Sequence, residues 1–142
     1  MIYLLLGSNL GDREACLNAA CGMLEDALKV PLRRTAVVET EAVGFDGPAF
    51  LNMAVAFEAP EGLTPIKLLN LCQRIEAVLG RPRHKAAFDA DGRRIYASRT
   101  IDIDILKYDA LVRNTKRLTL PHPQIESRPF AAQLLKEIES NN

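Results

Sequence analysis

The chain has 142 residues, enough for one domain with a substantial core and too few for two comfortable ones. Hydrophobic residues at 48% and charged ones at 25% give the balance of an ordinary soluble globular protein. Eighteen basic residues against eighteen acidic ones leave no net charge, which argues against a globally basic nucleic-acid binder but leaves local patches open.

In chain order, "IYLLLGS" reads as a buried strand ended by the turn "GSNLG". A helix follows from about Asp12, with Leu17, Cys21, Leu24 and Leu28 at helical spacing. Pro31 separates it from a second strand, "RRTAVVET". "EAVGFDGPA" is a loop, and the alternation of "FLNMAVAFE" marks a third strand. Thr64 offers an N-cap with Pro65 at the first helical position. Leu68, Leu71, Ile75 and Leu79 form the apolar stripe of that second helix. Ile66, Leu69, Cys72 (or Gln73) and Glu76 mark its flank, and Gly80 closes it. The segment from Arg81 to Ser98 shows no period, and a loop of that length in a compact domain is expected to be a functional lid. "RTIDIDILKYDALV" is the fourth strand with its exit, and "LTLPHPQIESRPF" leads into a last helix at about Pro129 to Ile138. The order implies one α+β domain over residues 1–142, a ferredoxin-like βαββαβ sandwich with extra C-terminal elements.

Cys16, Cys21 and Cys72 are odd in number and carry no metal-ligand spacing, so buried free thiols in a reducing cytosol are expected. The apolar start "MIYLLLG" lacks a basic leader and is too short for a signal peptide or a membrane span. The expectation is a cytoplasmic protein that does not engage a membrane.

The stretch "RTIDIDIL" carries the chemistry. Ile101, Ile103 and Ile105 share one strand face, with Asp102 and Asp104 on the other. Strands disfavour aspartate, and neighbouring like charges repel. Side chains two apart on a strand run parallel, about 6.6 Å apart at Cα. Such a pair can share hard cations, and two-metal phosphoryl sites hold ions roughly 3.5–4 Å apart. A solvated edge strand is the plainer alternative. The segment Arg81 to Arg99 weighs against it, with six basic residues to two acidic ones. Magnesium with arginines is equipment for a polyphosphate. Arg99 stands close before the aspartates, and Arg117, Thr119 and His122 form a second polar cluster after them. His122, between two prolines, is held in extended backbone, though an ordinary surface histidine would look the same. "GSNLG" lacks the lysine and spacing of a P-loop and is read as a glycine-dependent turn. No covalent relay suggests itself. Phe50, Asn52 and Phe130 suit core packing and a flat heterocycle equally well.

"GSNLGDRE", "FLNMAVAFE", "QRIEAVLGRPR", "SRTIDIDIL" and "RLTLPHPQIESRPF" follow in this order over nearly the whole chain. In this the sequence resembles the 6-hydroxymethyl-7,8-dihydropterin pyrophosphokinases of folate biosynthesis. The resemblance implies transfer of the terminal pyrophosphoryl group of ATP to the pterin hydroxymethyl oxygen, leaving AMP. It implies that Asp102 and Asp104 bridge two magnesium ions, and that Arg81 and Arg99 are catalytic. Gln73, Glu76, Arg83, Arg99, Ile105, Arg117, Thr119, His122 and Arg128 match ATP-contacting positions. Thr40, Val43, Phe50, Asn52, Tyr96 and Phe130 match the pterin pocket, where two aromatic rings sandwich the heterocycle. ATP and the pterin are then the partners of a monomer, with no nucleic acid. Tyr96 stands where many members carry tryptophan, with an insertion around Asp89 to Arg94. A common proline is missing near Glu41 and Ala42, and Pro123 stands where some members have tyrosine. The chain also ends at "ESNN", short of the tail of some relatives. Two other readings stay open, a non-catalytic ligand- or RNA-binding domain and another metal-dependent phosphotransferase. RNA binding would need exposed aromatics on the sheet face, part of which the aspartates take.

Overall fold

The computed structural model describes residues 1–41, 48–80 and 101–140. The expected lid, with Arg81, Arg83 and Tyr96, lies outside the described residues, as do Val43 and Arg99.

Strand β1 (Ile2–Ser8) is apolar on both faces because both faces are covered. Its neighbours are β4 (Phe50–Phe57) and β5 (Asp102–Tyr108), each antiparallel to it. The short strands β2 (Arg33–Arg34) and β3 (Val38–Thr40) pair with the far side of β4, giving the order β2-β4-β1-β5 with β3 beside β4. Helices α1 (Arg13–Leu28) and α2 (Pro65–Val78) bury their apolar faces against Ile2, Leu4, Leu6, Met53, Val55, Phe57, Ile103 and Ile105. On the opposite face, α4 (Pro129–Ser140) lays Ala131, Leu134, Leu135 and Ile138 on Tyr3, Leu5, Ala54, Ala56 and Leu106. The described residues thus form a mixed α+β structure with one helical layer on each side of an antiparallel sheet.

Local chemistry sets the boundaries. Asp12 caps α1 by accepting from the Ala15 N–H at 3.1 Å, and Thr64 caps α2 by accepting from the Lys67 N–H at 3.2 Å. The Thr64 cap and the start of α1 near Asp12 lie where the sequence places them. The expected strand "RRTAVVET" is instead two pieces. Arg34 pairs with Val55 and Val38 with Asn52, so four steps along one strand oppose three along the other. The surplus residue breaks the ladder. Thr35 spans the break: its N–H donates to the Ala54 carbonyl at 2.9 Å, and its Oγ1 accepts from the Ala54 N–H at 3.0 Å.

Helix α2 also departs from expectation. It buries Leu68, Cys72, Ile75 and Glu76, while Leu71 and Leu79 are only half-buried. The hairpin of β6 (Arg113–Asn114) and β7 (Thr119–Leu120) and the short α3 (Gln124–Ser127) were not expected, being too short to show a period. Of the cysteines, Cys21 and Cys72 are buried and free, and burial pushes both thiols up. Cys16 is free but only half-buried. Among the described residues no helix is long and apolar enough to cross a membrane.

Candidate active site

The alternation in "IDIDI" holds. Ile101, Ile103 and Ile105 are buried, and Asp102 and Asp104 sit half-buried on the sheet face that α4 covers further along. Asp104 Oδ2 accepts from Gln124 Nε2 at 3.2 Å, and His122 Nε2 lies 3.9 Å from Oδ1. Burial, then the charges of Asp102 and Glu76, push the Asp104 carboxyl up to about 7, against the opposing pull of Gln124 and Arg128. Like charges so arranged need a counter-charge. Among the described residues no group of three or more His, Cys, Asp or Glu side chains is arranged to hold an ion alone. Two hard carboxylates with positions left for a ligand's oxygens make up the donor set magnesium favours, so these residues fit that ion.

Glu76 lies on α2 beside the edge of β5 that faces away from β1. It is buried, and its Oε2 accepts from the Ile103 N–H at 3.0 Å. His122 follows β7, and its own N–H donates to the Leu106 carbonyl at 2.9 Å, which seats it beside β5. Its Nδ1 accepts from the Gln124 N–H at 3.1 Å, which places the ring proton on Nε2, the nitrogen facing Asp104. Burial first, then Arg128, lowers the His122 pKa, so the ring is neutral at neutral pH despite the opposing charge of Asp102.

A cavity of about 260 Å³ opens along this edge. Asp104, Ile105, Arg117, Thr119 and His122 line it, so five of the expected positions meet there. Arg117 Nη2 donates to Asn70 Oδ1 at 2.7 Å, tying the hairpin to α2. Gln73 is exposed on α2, and the exposed Arg128 ends α3; neither lines the cavity. Lys116 does line it. Neither Lys116 nor Gln124 was singled out from sequence, because each acts through a fold contact that no spacing reveals.

A second polar patch lies across the sheet on β3 and β4. Thr40 pairs with Phe50, and the buried Asn52 donates from Nδ2 to Thr40 Oγ1 at 2.8 Å. Asn52 pairs with Gly7 on β1, and Gly7 pairs in turn with Asp102 on β5. Phe130 lies in the first turn of α4, half-buried at the end of the same face. The turn after β1 braces the entry to β4. Asn9 Nδ2 donates to the Pro48 carbonyl at 3.0 Å, and Arg13 Nη1 to the Ala49 carbonyl at 2.8 Å and Glu39 Oε2 at 3.2 Å. The quoted motif "GSNLGDRE" contained both residues, but as a turn and a helix start.

Residues 3–140 match the model of the 7,8-dihydro-6-hydroxymethylpterin-pyrophosphokinase family. The chain belongs to this family. Members similar to it include the 2-amino-4-hydroxy-6-hydroxymethyldihydropteridine pyrophosphokinase of Bacillus subtilis, 38% identical over 138 residues, covering 96% of this chain and 76% of the relative. The enzyme of the same name from Porphyromonas gingivalis is 38% identical over 140 residues, covering 97% and 90%. That of Aquifex aeolicus is 38% identical over 141 residues, covering 99% and 81%. The pyrophosphokinase family therefore spans nearly the whole chain, including both polar patches.

Proposed function

We propose that the protein is a magnesium-dependent pyrophosphokinase acting on 6-hydroxymethyl-7,8-dihydropterin. The observation that carries this is the row Asn52–Gly7–Asp102, which joins the β4 patch to the carboxylate pair beside the cavity. The hydroxymethyl oxygen attacks the β-phosphorus of ATP, the bond to the α-phosphate oxygen breaks, and AMP leaves as the hydroxyl proton is lost. No covalent nucleophile is needed, so catalysis is positioning and charge stabilisation.

Asp102 and Asp104 would hold the magnesium, two ions in this reading, which screens the polyphosphate charge. His122 Nε2–H, Arg117 and Thr119 face the cavity as donors for nucleotide oxygens, and Ile105 supplies apolar wall. Glu76 serves the nucleotide side by fixing the β5 edge, and Gln73 and Arg128 lie at the periphery. Thr40, Phe50, Asn52 and Phe130 take the pterin. Arg81, Arg83, Arg99, Val43 and Tyr96 complete the set on the strength of the resemblance. The scaffold is read as ferredoxin-like, supported by β1 and β2 flanking β4 with every pairing antiparallel.

The test is ATP turnover in the presence of magnesium and the pterin. Consumption that requires both is expected, and turnover indifferent to the pterin would overturn the reading. A related expectation concerns Gln124, whose side chain holds Asp104 while its N–H fixes His122. Gln124→Leu should raise the magnesium concentration for half-maximal rate by roughly 10-fold, the scale on which outer partners act on metal ligands. Magnesium titrations of initial rate check it, with the pterin KM expected to stay put.

A further inference from the structure

Thr40 and Phe50 form the last pair of the β3–β4 ladder. Strand β3 has three residues, pairs on one side with β4, and is cut off from β2 by the break at Thr35. So short an edge strand draws little from its own ladder, and its position depends on what else holds it. Arg13 holds it. Its Nη1 donates to the Ala49 carbonyl at 2.8 Å and to Glu39 Oε2 at 3.2 Å. Ala49 directly precedes Phe50, and Glu39 directly precedes Thr40. One guanidinium nitrogen thus bridges both arms of the hairpin, one hydrogen to each, beside the Thr40–Phe50 pair.

The bridge works from behind the sheet. Glu39 alternates with Val38 and Thr40, so it lies on the other face. Val38 packs into the cluster beneath α4, whereas Leu51, the partner of Glu39, packs against the cluster beneath α1 and α2. Asn52, paired with Val38, shares the α4 face with Thr40, to which it is bonded. Arg13 reaches the hairpin from α1 on the opposite side.

Local helix chemistry gives no reason for an arginine here. Arg13 is the first residue of α1, where the macrodipole favours anions over cations. Its ion pair is open to water, with Arg13 30% and Glu39 59% exposed, and such pairs add little to global stability.

We propose that Arg13 is a positioning residue for the pterin, fixing the spacing of Thr40 and Phe50 from the opposite face of the sheet. It thereby sets the fraction of the protein whose acceptor patch is ready to bind. This rests on the reading of Thr40, Phe50 and Asn52 given above. Loss of the bridge lowers apparent affinity in proportion to that fraction and leaves turnover at saturating pterin unchanged. The cavity along the β5 edge is untouched, since Arg13 does not line it.

The test compares wild type, Arg13→Ala, Arg13→Lys, Glu39→Gln and Asn52→Leu. Pterin affinity is measured by direct titration, alongside affinity for a magnesium-bound non-hydrolysable ATP analogue, melting temperature and amide exchange of β3. Arg13→Ala should weaken pterin binding by about 3- to 10-fold, the reach of one exposed charge-assisted bridge. Its β3 amides should exchange faster by a similar factor in ligand-free protein. Analogue affinity and kcat at saturating pterin should stay within about twofold, and melting within a few degrees. Arg13→Lys, which keeps a cationic donor, should recover most of the affinity. Glu39→Gln, at an exposed site, should move pterin affinity and β3 exchange in the same direction by about twofold, because the Ala49 bond survives. Unchanged pterin affinity, equal loss of both ligands, or a loss matched by a falling melting temperature would overturn the proposal. If wild type binds the analogue but no pterin, the functional reading falls and the proposal with it. If Asn52→Leu loses pterin and Arg13→Ala keeps it, only the role of Arg13 falls.

Discussion

Asp102→Asn and Asp104→Asn should each lower the turnover number by roughly 10²-fold or more while the fold survives, since each removes charge that a metal-bound polyphosphate needs. The aspartates occupy the half-buried alternation of a strand whose isoleucines carry the packing, so amide replacement leaves the core intact. Asp104→Asn has a second consequence in metal-free protein. The folded carboxyl sits at about 7, above its ordinary value of 3.8, because burial and the charges of Asp102 and Glu76 favour the protonated form. The folded state therefore holds a proton that the unfolded chain gives up first. Stability from this group is complete below about pH 4 and is lost as pH rises through about 7, on the order of 2–4 kcal/mol. Asp104→Asn should flatten that loss and leave the metal-free protein more stable than wild type at pH 8. Urea melts from pH 4 to 8 in chelator decide it, and parallel pH profiles for the two proteins would refute it. Magnesium should stabilise wild type above pH 7 and the variant far less.

Asn52→Leu should lower kcat/KM for the pterin by 10³-fold or more while the KM for ATP barely moves. Asn52 is buried and already bonded to Thr40, so it is a fixed polar group, and fixed buried donors and acceptors discriminate far more sharply than apolar walls. The leucine keeps the volume and loses the hydrogen bonds. Thr40, half-buried, would also lose the partner its hydroxyl now has. Steady-state kinetics with each substrate varied separately checks the result, and an equal rise in both KM values would point to a structural role instead.

The elements legible in sequence were those long enough to repeat a period or marked by a cap. The two-sided apolar run of β1, the periodic α1, the capped start of α2, and the alternating "IDIDI" fall in this class. The break in "RRTAVVET" was not legible, because it depends on register against β4 and on a hydroxyl standing in for a carbonyl. Glu76 shows the same limit within the site. From spacing it marks a flank of α2, whereas in the fold it is buried and accepts from the Ile103 N–H of β5. Gln124, Lys116, Asn9 and Arg13 likewise gain their places only when distant segments meet. Asp102, Asp104 and His122 could be singled out beforehand because an aspartate pair inside a strand and a histidine between prolines run against local preference.

The position of attack on ATP is the central claim, and the nucleotide product reports it directly. Wild-type protein with ATP, magnesium and 6-hydroxymethyl-7,8-dihydropterin should be followed by phosphorus NMR until the pterin is consumed. The account predicts one AMP and one pterin diphosphate for each ATP lost. ADP with a pterin monophosphate, in the same proportion, would contradict it.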